Sequence, residues 1–309
     1  MSPAPGPHLA LVGPTASGKS AVAFEVARRR PDVELVSVDS MQVYRGMDIG
    51  TAKPSAAERA EVPVHLLDVA DPSEEFSVTR FQAAAAAVVG SVEERGHRAL
   101  LVGGTGLYLR AVVDGLTVPP RWPDVRAELE AEPDTGALHR RLAERDPVAA
   151  ARMEPTNRRR VVRALEVVVG SGRPFSSFGS GLGAHPPTPF RLAGMWLPRA
   201  VVAERIARRL AAMVDAGLVG EVAALAARPG GLSRTAAQAL GYREVLRHLR
   251  GECTLEEALD EAVRRTRAYS RRQRMWFRRD PRITWYGTEG PHANPIAVAR
   301  ALLGDWSRP

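Results

Sequence analysis

The sequence predicts an α/β protein in which a parallel sheet carries helices on both faces and a helical insertion interrupts the chain. Short apolar runs alternate with amphipathic helical patterns in the first part of the chain, which is typical of parallel strands joined by crossover helices. A glycine-rich turn follows the first apolar run directly. After Gly115 the strand-like runs stop, and only helical patterns continue to Phe178.

The first half of the predicted core contains three strands and two helices. Residues 8–14 form the first strand, and the stretch GKSAVAFEVARRR has the apolar periodicity of a helix. The second strand, VELVSVDS, ends at Asp39 and leads into the polar loop QVYRGMDIGTAKP. Residues 77–95 predict an alanine-rich helix, and HRALLVGG predicts a third strand that ends in glycines.

The second half of the chain predicts a change of architecture. The proline-rich stretch LTVPPRWP marks a break, and residues 121–188 are interpreted as a helical insertion between core segments 8–120 and 189–309. The stretch PPTPFRLAGMWLP leads back into a strand. Residues 199–216 predict a helix, further helices continue to Arg279, and the strand RITWY and a last helix follow.

The composition restricts the classes of function. No apolar run reaches the roughly 20 residues of a membrane span, and the first residues lack the build of a signal peptide, so we expect no membrane partner and a cytoplasmic protein. A lone cysteine, Cys253, excludes an internal disulfide and a zinc site of several thiolates. The net charge of +8 and the pI of about 10.4 favour a polyanionic partner.

The glycine-rich turn fits the pattern G-x-x-x-x-G-K-[ST], in which backbone N–H groups, a lysine and a helix N-terminus surround phosphate oxygens. Its lysine is distinctive, because only Lys19 and Lys53 are lysines among 43 basic residues. The hydroxyl of Ser20 is the candidate ligand for Mg²⁺. The candidate phosphate-binding residues are Gly13, Pro14, Thr15, Ala16, Ser17, Gly18, Lys19 and Ser20.

Two further strands end in residues that suit a site. Asp39 lies at the carboxyl end of the second strand, where open α/β sheets bind their ligands, and it fits a general base, a metal ligand or a simple turn aspartate. The third strand ends in Gly103-Gly104-Thr105, which combines close backbone approach with a hydroxyl and supplies no second metal carboxylate.

Arginines cluster in three helical segments. One cluster lies in the insertion and includes Arg159, Arg160 and Arg163, and a second lies at 205–209. The third is RRTRAYSRRQRMWFRR, in which Arg271, Arg274 and Arg278 fall on one helical face among aromatic residues. A charge run is usually a solvated face, but this density of one sign favours contact with a polyanion.

Several stretches occur in an order that resembles the bacterial tRNA dimethylallyltransferases, also called isopentenyl-tRNA transferases. They are GPTASGKS, SVDSMQVYRGMDIGTAKP, HLLDVADPSEEFSVTRF, LVGGTGLYLRAVVDGL, DPVAAARMEPTNRRRVVRALEV and GYREV. The resemblance implies a P-loop kinase-like core. It implies transfer of a dimethylallyl group from dimethylallyl diphosphate to N6 of the adenosine 3′ of the anticodon, in tRNAs that read codons beginning with U. The phosphate loop would then hold a leaving group.

The resemblance also implies roles for residues. Asp39 matches the catalytic aspartate that accepts the amine proton, Thr105 matches the threonine of GGT, and Arg209 matches an arginine that binds the diphosphate. Mg²⁺ is the implied cofactor and the tRNA anticodon stem-loop the implied partner, with no obligate protein partner. The implied tRNA-contacting residues are Asp39, Ser40, Met41, Gln42, Thr105, Arg159, Arg160, Arg163, Arg271 and Arg274.

Two other functions share the phosphate loop. A small-molecule P-loop kinase has the same loop, strand order and aspartate, and a non-catalytic RNA-binding ATPase would combine the loop with the arginine clusters. The stretch from Asp39 to Pro54 and the arginine-rich helices favour the tRNA enzyme over both.

Overall fold

The computed structural model describes residues 7–179, 181–287 and 294–306. The chain forms two compact units. One consists of Met1–Val113 and Pro187–Pro309, and the other consists of Asp114–Pro186. The first unit contains the sheet, and the second unit is helical in the residues that the structure describes.

The first unit is built on one sheet. Its strands are β1 (His8–Val12), β2 (Val33–Val38), β3 (Val64–His65), β4 (Arg98–Gly103), β5 (Phe190–Trp196) and β6 (Ile283–Gly287). Their order is β3-β2-β4-β1-β5-β6, and each neighbouring pair is parallel. Because parallel neighbours need crossover connections, helices separate most of the strands along the chain.

The helices of the described residues are numbered here in chain order. They are α1 (Lys19–Arg29), α2 (Ala56–Glu61), α3 (Val78–Glu94), α4 (Gly106–Val113), α5 (Pro123–Ala131), α6 (Thr135–Arg145), α7 (Pro147–Ala151), α8 (Arg158–Ser171), α9 (Arg199–Asp215), α10 (Leu218–Ala226), α11 (Tyr242–Leu249), α12 (Leu255–Phe277) and α13 (Pro295–Trp306). Within residues 7–179, 181–287 and 294–306, no helix combines the length and apolar character that spanning a membrane requires.

Alternate residues of each strand point to opposite faces of the sheet, and each face is buried by helices. In β1, Ala10 and Val12 join a cluster that contains Phe81 of α3 and Tyr242 of α11. The intervening residues of β1 join a second cluster that contains Phe24 of α1 and residues of α13. The sheet is therefore covered on both sides, and the predicted fold class is confirmed.

The register of the sheet brings three strand ends together. Val38 at the end of β2 pairs with Gly103 at the end of β4, and Gly103 pairs in turn with Val12 at the end of β1. The turns that follow these strands therefore start from the same edge, which is the ligand-binding edge of open parallel sheets. They are the phosphate loop, the loop that begins at Asp39, and the turn at Thr105.

The sequence pattern predicts no element between residues 55 and 76, where the structure has α2 and β3. Helix α2 begins with a capping box, because the Ser55 hydroxyl accepts from the Glu58 N–H and the Glu58 carboxylate accepts from the Ser55 N–H. Strand β3 has two residues, Val64 and His65, which pair with β2 at the sheet edge. So short a strand carries too few residues to show an alternating pattern.

The second unit has a core of its own, formed by helices α5, α6, α7 and α8. Leu138, Leu142 and Leu165 are buried in it. Glu166 is also buried and accepts a hydrogen bond of 2.9 Å from the backbone N–H of Trp122. The carboxylate forms ion pairs with Arg126 and Arg163, so the charge inside this unit is compensated.

Candidate active site

The phosphate loop joins β1 to α1 and takes a conformation that favours small residues. Gly18 caps α1 with a φ of +90°, and Ala16 has a φ of +62°. A Cβ on Gly13 would lie 3.0 Å from the carbonyl oxygen of Met195, so the loop passes close to β5. The loop thus leads directly into the N-terminus of α1, an arrangement that suits phosphate oxygens.

Lys19 extends its ammonium group over this loop. Its Nζ donates a hydrogen bond of 2.8 Å to the carbonyl oxygen of Pro14. Burial lowers the pKa of Lys19 to about 8, the Asp39 carboxylate opposes this shift, and the Arg209 guanidinium adds to it. The lysine, the aspartate and the arginine thus belong to one electrostatic cluster beside the loop.

Asp39 takes part both in a turn and in the electrostatic cluster beside the phosphate loop. Its Oδ1 accepts a hydrogen bond of 2.8 Å from the backbone N–H of Met41, which makes it a turn aspartate. Its negative charge also acts on Lys19, Arg209 and Tyr269. The turn role and the site role that the sequence left as alternatives are therefore compatible, because the carboxylate serves the turn with one oxygen.

The turn after β4 requires its glycines. A Cβ on Gly103 would lie 2.0 Å from the carbonyl oxygen of Val38, and one on Gly106 would lie 2.2 Å from Nε1 of Trp276. Close approach of β2 and α12 thus depends on the missing side chains. Thr105 accepts a hydrogen bond of 3.3 Å from the backbone N–H of Ser40, so its hydroxyl lies beside the Asp39 turn.

Gln273 of α12, which no sequence motif indicates, joins the phosphate loop to this turn. Its Oε1 accepts from the Thr15 N–H at 2.8 Å, and its Nε2 donates to the Gly104 carbonyl oxygen at 2.9 Å. The side chain is buried. A Cβ on Gly104 would lie 2.2 Å from the same Nε2. A lone buried glutamine between arginines gives no periodic signal, so only the folded chain identifies it.

Tyr269 of α12 is a second site residue that no sequence motif indicates. Burial raises the pKa of its phenol to about 12, the Asp39 charge acts in the same direction, and polar contacts with Thr105 and Gln273 oppose both. Tyr269 therefore stays protonated at neutral pH and supplies a hydroxyl next to Asp39 and Thr105.

Helix α9 brings basic side chains to the loop. Burial lowers the pKa of the Arg209 guanidinium, and the Asp39 carboxylate opposes that shift. A Cβ on Gly18 would lie 3.6 Å from Nη1 of Arg205, so this second arginine also approaches the loop. Arg205 and Arg209 are four residues apart and share one face of α9, whereas Arg208 is 72% exposed and pairs with Glu204.

The loop after Asp39 is stabilised by the buried ammonium group of Lys53. The side chain of Lys53 is 1% exposed, and its Nζ donates to Asp48 at 2.7 Å, to Asp68 at 2.5 Å and to the Tyr44 carbonyl oxygen at 2.6 Å. Lys53, to which the sequence pattern assigns no role, is therefore a structural cation. Gln42 is engaged in the same loop, because its Nε2 donates to the carbonyl oxygen of Thr51 at 3.1 Å.

A carboxylate of α10 completes this support. Glu221 accepts from the backbone N–H groups of Asp48 at 2.9 Å, Ile49 at 2.7 Å and Gly50 at 3.1 Å. The hydroxyl of Tyr242 donates to the same carboxylate at 2.5 Å. The stretches MDIGTAKP and GYREV, which are far apart in sequence, thus meet at one half-buried carboxylate.

The arginines predicted to contact tRNA differ in how they are engaged. In the helical unit, Arg159 and Arg160 are exposed. Arg163 donates to the carbonyl oxygens of Pro119 at 2.8 Å and Pro120 at 3.0 Å, so its guanidinium serves this unit internally. In the first unit, Arg271 is exposed, and Arg274 stacks at 5.2 Å from the ring centroid of Trp196.

The residues available for a metal are few. Among the residues that the structure describes, no group of three or more histidine, cysteine, aspartate or glutamate side chains forms a metal site. Ser20 is exposed at the start of α1, and the Ser17 Oγ is buried without a hydrogen-bond partner inside the loop. This donor set fits a magnesium ion that takes most of its ligands from water and from a bound phosphate.

Family comparisons agree with the geometry. A family model described as IPP transferase matches residues 42–280, and one described as isopentenyl transferase matches residues 8–73. The chain is 48% identical to a tRNA dimethylallyltransferase of Kineococcus radiotolerans, over 96% of this chain and 95% of the relative. It is also 48% identical to one of Streptomyces coelicolor, over 99% of this chain and 97% of the relative.

Solved structures are similar along nearly the whole chain. The full-length tRNA isopentenylpyrophosphate transferase of Bacillus halodurans has 39% sequence identity and a TM-score of 0.71, covering 97% of this chain and 96% of that one. A eukaryotic dimethylallyltransferase acting on tRNA has a TM-score of 0.81 at 23% identity, covering 98% of this chain and 80% of that one, and this likeness concerns the fold.

Proposed function

The chain belongs to the IPP transferase family, and from that premise we infer that it transfers a dimethylallyl group from dimethylallyl diphosphate to tRNA. The observation that carries this inference is the meeting of the phosphate loop, Asp39 and Thr105 at one sheet edge. Relatives of nearly full coverage are tRNA dimethylallyltransferases. The acceptor atom that we propose is N6 of the adenosine 3′ of the anticodon, in tRNAs that read codons beginning with U.

The phosphate loop would bind the diphosphate as a leaving group. Negative charge grows on the diphosphate oxygens as the bond to the allylic carbon breaks, so fixed positive groups stabilise the transition state more than the bound substrate. Lys19 and Arg209 supply such charge beside the loop. We propose Gly13, Pro14, Thr15, Ala16, Ser17, Gly18, Lys19 and Ser20 as the diphosphate-binding residues.

Asp39 would accept the proton that the adenine amine loses as its nitrogen bonds to the allylic carbon. The carboxylate is held in place by the Met41 N–H, so it is oriented before the substrate binds. Thr105 and Tyr269 place hydroxyl groups beside this carboxylate, where they can orient the adenine. In this mechanism no phosphoryl group is transferred.

Magnesium fits the site as a bound partner of the diphosphate. The Ser20 hydroxyl would hold it together with diphosphate oxygens, since no cluster of carboxylates or histidines is present among the described residues. When bound, the ion neutralises charge on the leaving group. The residues of the chain bind the diphosphate, orient the adenine and accept the proton of its amine.

The proposed tRNA contacts lie in both units. In the first unit they are Asp39, Ser40, Met41, Gln42, Thr105, Arg271 and Arg274, and in the helical unit they are Arg159, Arg160 and Arg163. Exposed Arg159, Arg160 and Arg271 suit contacts to phosphates. Gln42 and Arg163 already have partners within their own units, so they would act by shaping the surface.

The function is tested by incubating the protein with dimethylallyl diphosphate, Mg²⁺ and tRNA that lacks the modification. We expect N6-isopentenyladenosine in digests of the tRNA by nucleoside mass spectrometry, together with release of diphosphate. ATP in place of dimethylallyl diphosphate serves as the control and should give no modified nucleoside. Consumption of ATP with a metabolite, and no isopentenyladenosine, would overturn the proposal.

A further inference from the structure

Glu221 of α10 holds residues 42–53, which we call the 42–53 loop. Its Oε2 accepts from the backbone N–H groups of Asp48 and Ile49, and its Oε1 accepts from that of Gly50. Successive N–H groups that converge on one anion form a nest, and the anion fixes the backbone conformation of that stretch. The carboxylate therefore determines where this part of the loop lies relative to α10.

Close packing surrounds this carboxylate. Tyr242 of α11 is fully buried, and its hydroxyl donates to the Glu221 Oε1 at 2.5 Å. Burial raises the pKa of Tyr242, and the hydrogen bond to Glu221 adds to the effect, so the phenol remains a donor at neutral pH. A Cβ on Gly50 would lie 2.4 Å from Cε2 of Tyr242 and 2.8 Å from Cδ1 of Leu218. The loop, α10 and α11 are thus in direct contact at this point.

The 42–53 loop also holds Gln42, one of the proposed tRNA contacts. The Gln42 Nε2 donates to the carbonyl oxygens of Thr51 at 3.1 Å and Ala52 at 3.2 Å, directly after the nest. Its Oε1 accepts from the Ser37 hydroxyl of β2 at 2.7 Å. Asp39 lies between Ser37 and Gln42 in the chain, so its turn is fixed by the strand on one side and by the loop on the other.

Helix α10 follows directly on the helix that carries basic side chains to the phosphate loop. Arg205 and Arg209 lie on α9, and only Ala216 and Gly217 separate α9 from α10. The backbone N–H of Glu221 donates to the carbonyl oxygen of Gly217 at 3.0 Å. The diphosphate side and the acceptor side of the site are therefore connected through α9, α10 and the 42–53 loop.

We propose that Glu221 is a positioning residue of the transfer reaction, which holds Gln42 and the Asp39 turn at a fixed distance from the arginines of α9. This inference deepens the proposed function and rests on it. Glu221 would act through the 42–53 loop, without contact to the diphosphate or the adenine. Transfer requires the reacting atoms to lie about 3–3.5 Å apart, and a displacement of about 1 Å can slow such a step about 10²-fold. A rigid connection between the two sides maintains this geometry.

The test compares Glu221→Gln with Glu34→Gln. Glutamine keeps the size of the side chain and one acceptor oxygen, but its amide nitrogen replaces an oxygen that accepts from the nest, so we expect the loop to shift. Glu34→Gln is the matched control, because Glu34 is a buried carboxylate at the start of β2, away from the edge that carries the site. Single-turnover kinetics at saturating substrates measure the chemical step, steady-state kinetics measure each KM, and urea unfolding measures stability.

For Glu221→Gln we expect the single-turnover rate of prenyl transfer to fall about tenfold, with the KM for dimethylallyl diphosphate unchanged. Glu221→Ala, which removes both acceptor oxygens, should lower the rate about 10²-fold. The rate should depend on pH as in the wild type, since Asp39 remains the proton acceptor. Glu34→Gln should lose stability but keep its rate where it is folded. A normal rate in Glu221→Ala, or an equal loss of rate in the control, would overturn the inference.

Hydrogen exchange followed by mass spectrometry observes the loop itself and needs no activity. In Glu221→Gln the amides of residues 48–50 should exchange faster than in the wild type, while those of β1 and α1 keep their rates. Unchanged exchange at 48–50, or faster exchange throughout the first unit, would contradict a positioning role. If the wild type makes no prenylated nucleoside, the proposed function fails, and tRNA binding is measured beside the exchange. Local exchange with a few-fold loss of tRNA affinity would then support Glu221 as a positioning residue, and an unchanged affinity would count against it.

Tyr242→Phe is a milder variant for the case in which the Glu221 variants do not fold. It removes one donor to the carboxylate and keeps the ring beside Gly50. We expect the single-turnover rate to fall a few-fold, together with faster exchange at residues 48–50. A wild-type rate with wild-type exchange in this variant would show that the carboxylate does not position the loop.

Discussion

At the residue scale, Asp39 can be separated into its two roles by one substitution. Asparagine keeps an oxygen that accepts from the Met41 N–H, so Asp39→Asn should preserve the turn while it removes the base. We expect the single-turnover rate of prenyl transfer to fall by about 10²–10⁴-fold, as for the loss of a general base. The affinity for tRNA should stay within a few-fold in a filter-binding assay. A near-normal rate would mean that Asp39 is only a turn residue.

The pKa of Lys19 predicts how the activity of the enzyme depends on pH. Its pKa lies near 8, so its positive charge is present below that pH and is lost as the pH rises through it. Because the charge assists binding of the diphosphate, kcat/KM for dimethylallyl diphosphate should decrease above pH 8, toward tenfold per unit. Lys19→Arg is the comparison, since a guanidinium does not titrate in this range. The variant's activity will be lower, and its profile should lack this decrease.

The site residues that the sequence indicated are those with a motif around them. Lys19 and Ser20 lie in a recognisable loop, and Asp39 and Thr105 lie at predicted strand ends. Gln273 carries no such mark, because its importance comes from two backbone groups more than 150 positions away in the chain. Such a partner depends on tertiary packing and leaves no local pattern in a single sequence.

At the scale of elements, α12 connects the two halves of the site. Its Gln273 satisfies the Thr15 N–H and the Gly104 carbonyl oxygen together, and its Trp276 packs against Gly106. Gln273→Leu should leave both backbone groups without a partner in a buried place. We expect the free energy of unfolding to fall by about 1–3 kcal/mol, and the rate of prenyl transfer to fall with it.

The glutamate variant sharpens the test of α12. Gln273→Glu keeps an acceptor for the Thr15 N–H, but it places a buried carboxylate oxygen against the Gly104 carbonyl oxygen. Because a buried charge that faces an acceptor is costly, this variant should be as unstable as Gln273→Leu or more so. Urea unfolding measures stability, and single-turnover kinetics with saturating substrates measure the chemical step. A variant with normal stability and a normal rate would show that α12 does not position the loop through this residue.

Of the six strands formed by residues 7–179, 181–287 and 294–306, five are predicted from the sequence, because each is an apolar run bounded by polar or glycine-rich turns. The exception is β3, whose two residues, Val64 and His65, form a strand because they pair with the neighbouring β2. The loop from Asp39 to Pro54 is predicted as a loop, but its shape depends on Glu221 and Lys53. A periodicity argument does not detect charged groups whose partners lie far away in the sequence.

At the scale of the whole molecule, a buried acid holds the sheet edge opposite the site. Glu34 at the start of β2 accepts from Arg95 at 2.9 and 2.8 Å and contacts His65 at 2.6 Å and His97 at 2.8 Å. Hydrogen bonds from Arg95 lower its pKa to about 2 despite burial, and the two histidines add to the effect. This acid therefore joins β2, β3 and the turn before β4.

The lowered pKa predicts how stability depends on pH. A carboxyl whose pKa is lower in the folded state stabilises the fold above its unfolded pKa and loses that contribution as the pH falls toward the folded value. Glu34→Gln should therefore reduce the free energy of unfolding on the order of 2 kcal/mol at pH 7. The difference from wild type should shrink between pH 4.5 and 2.

Urea titrations at several pH values measure this difference. Glu61→Gln is the control, because Glu61 pairs with Arg28 at the exposed surface and should change stability little at any pH. If the difference in free energy of unfolding between wild type and Glu34→Gln stayed constant down to pH 2, the lowered pKa of Glu34 would be contradicted.

The scarcity of lysine has a practical consequence for the intact molecule. Of its two lysines, Lys53 is enclosed by two aspartates, and Lys19 has a pKa near 8 that leaves much of its amine unprotonated in mildly alkaline buffer. An acylating reagent at that pH should therefore modify Lys19 far faster than Lys53. Peptide mapping of the product would give a covalent record of access to the phosphate loop, and dimethylallyl diphosphate should protect that single side chain.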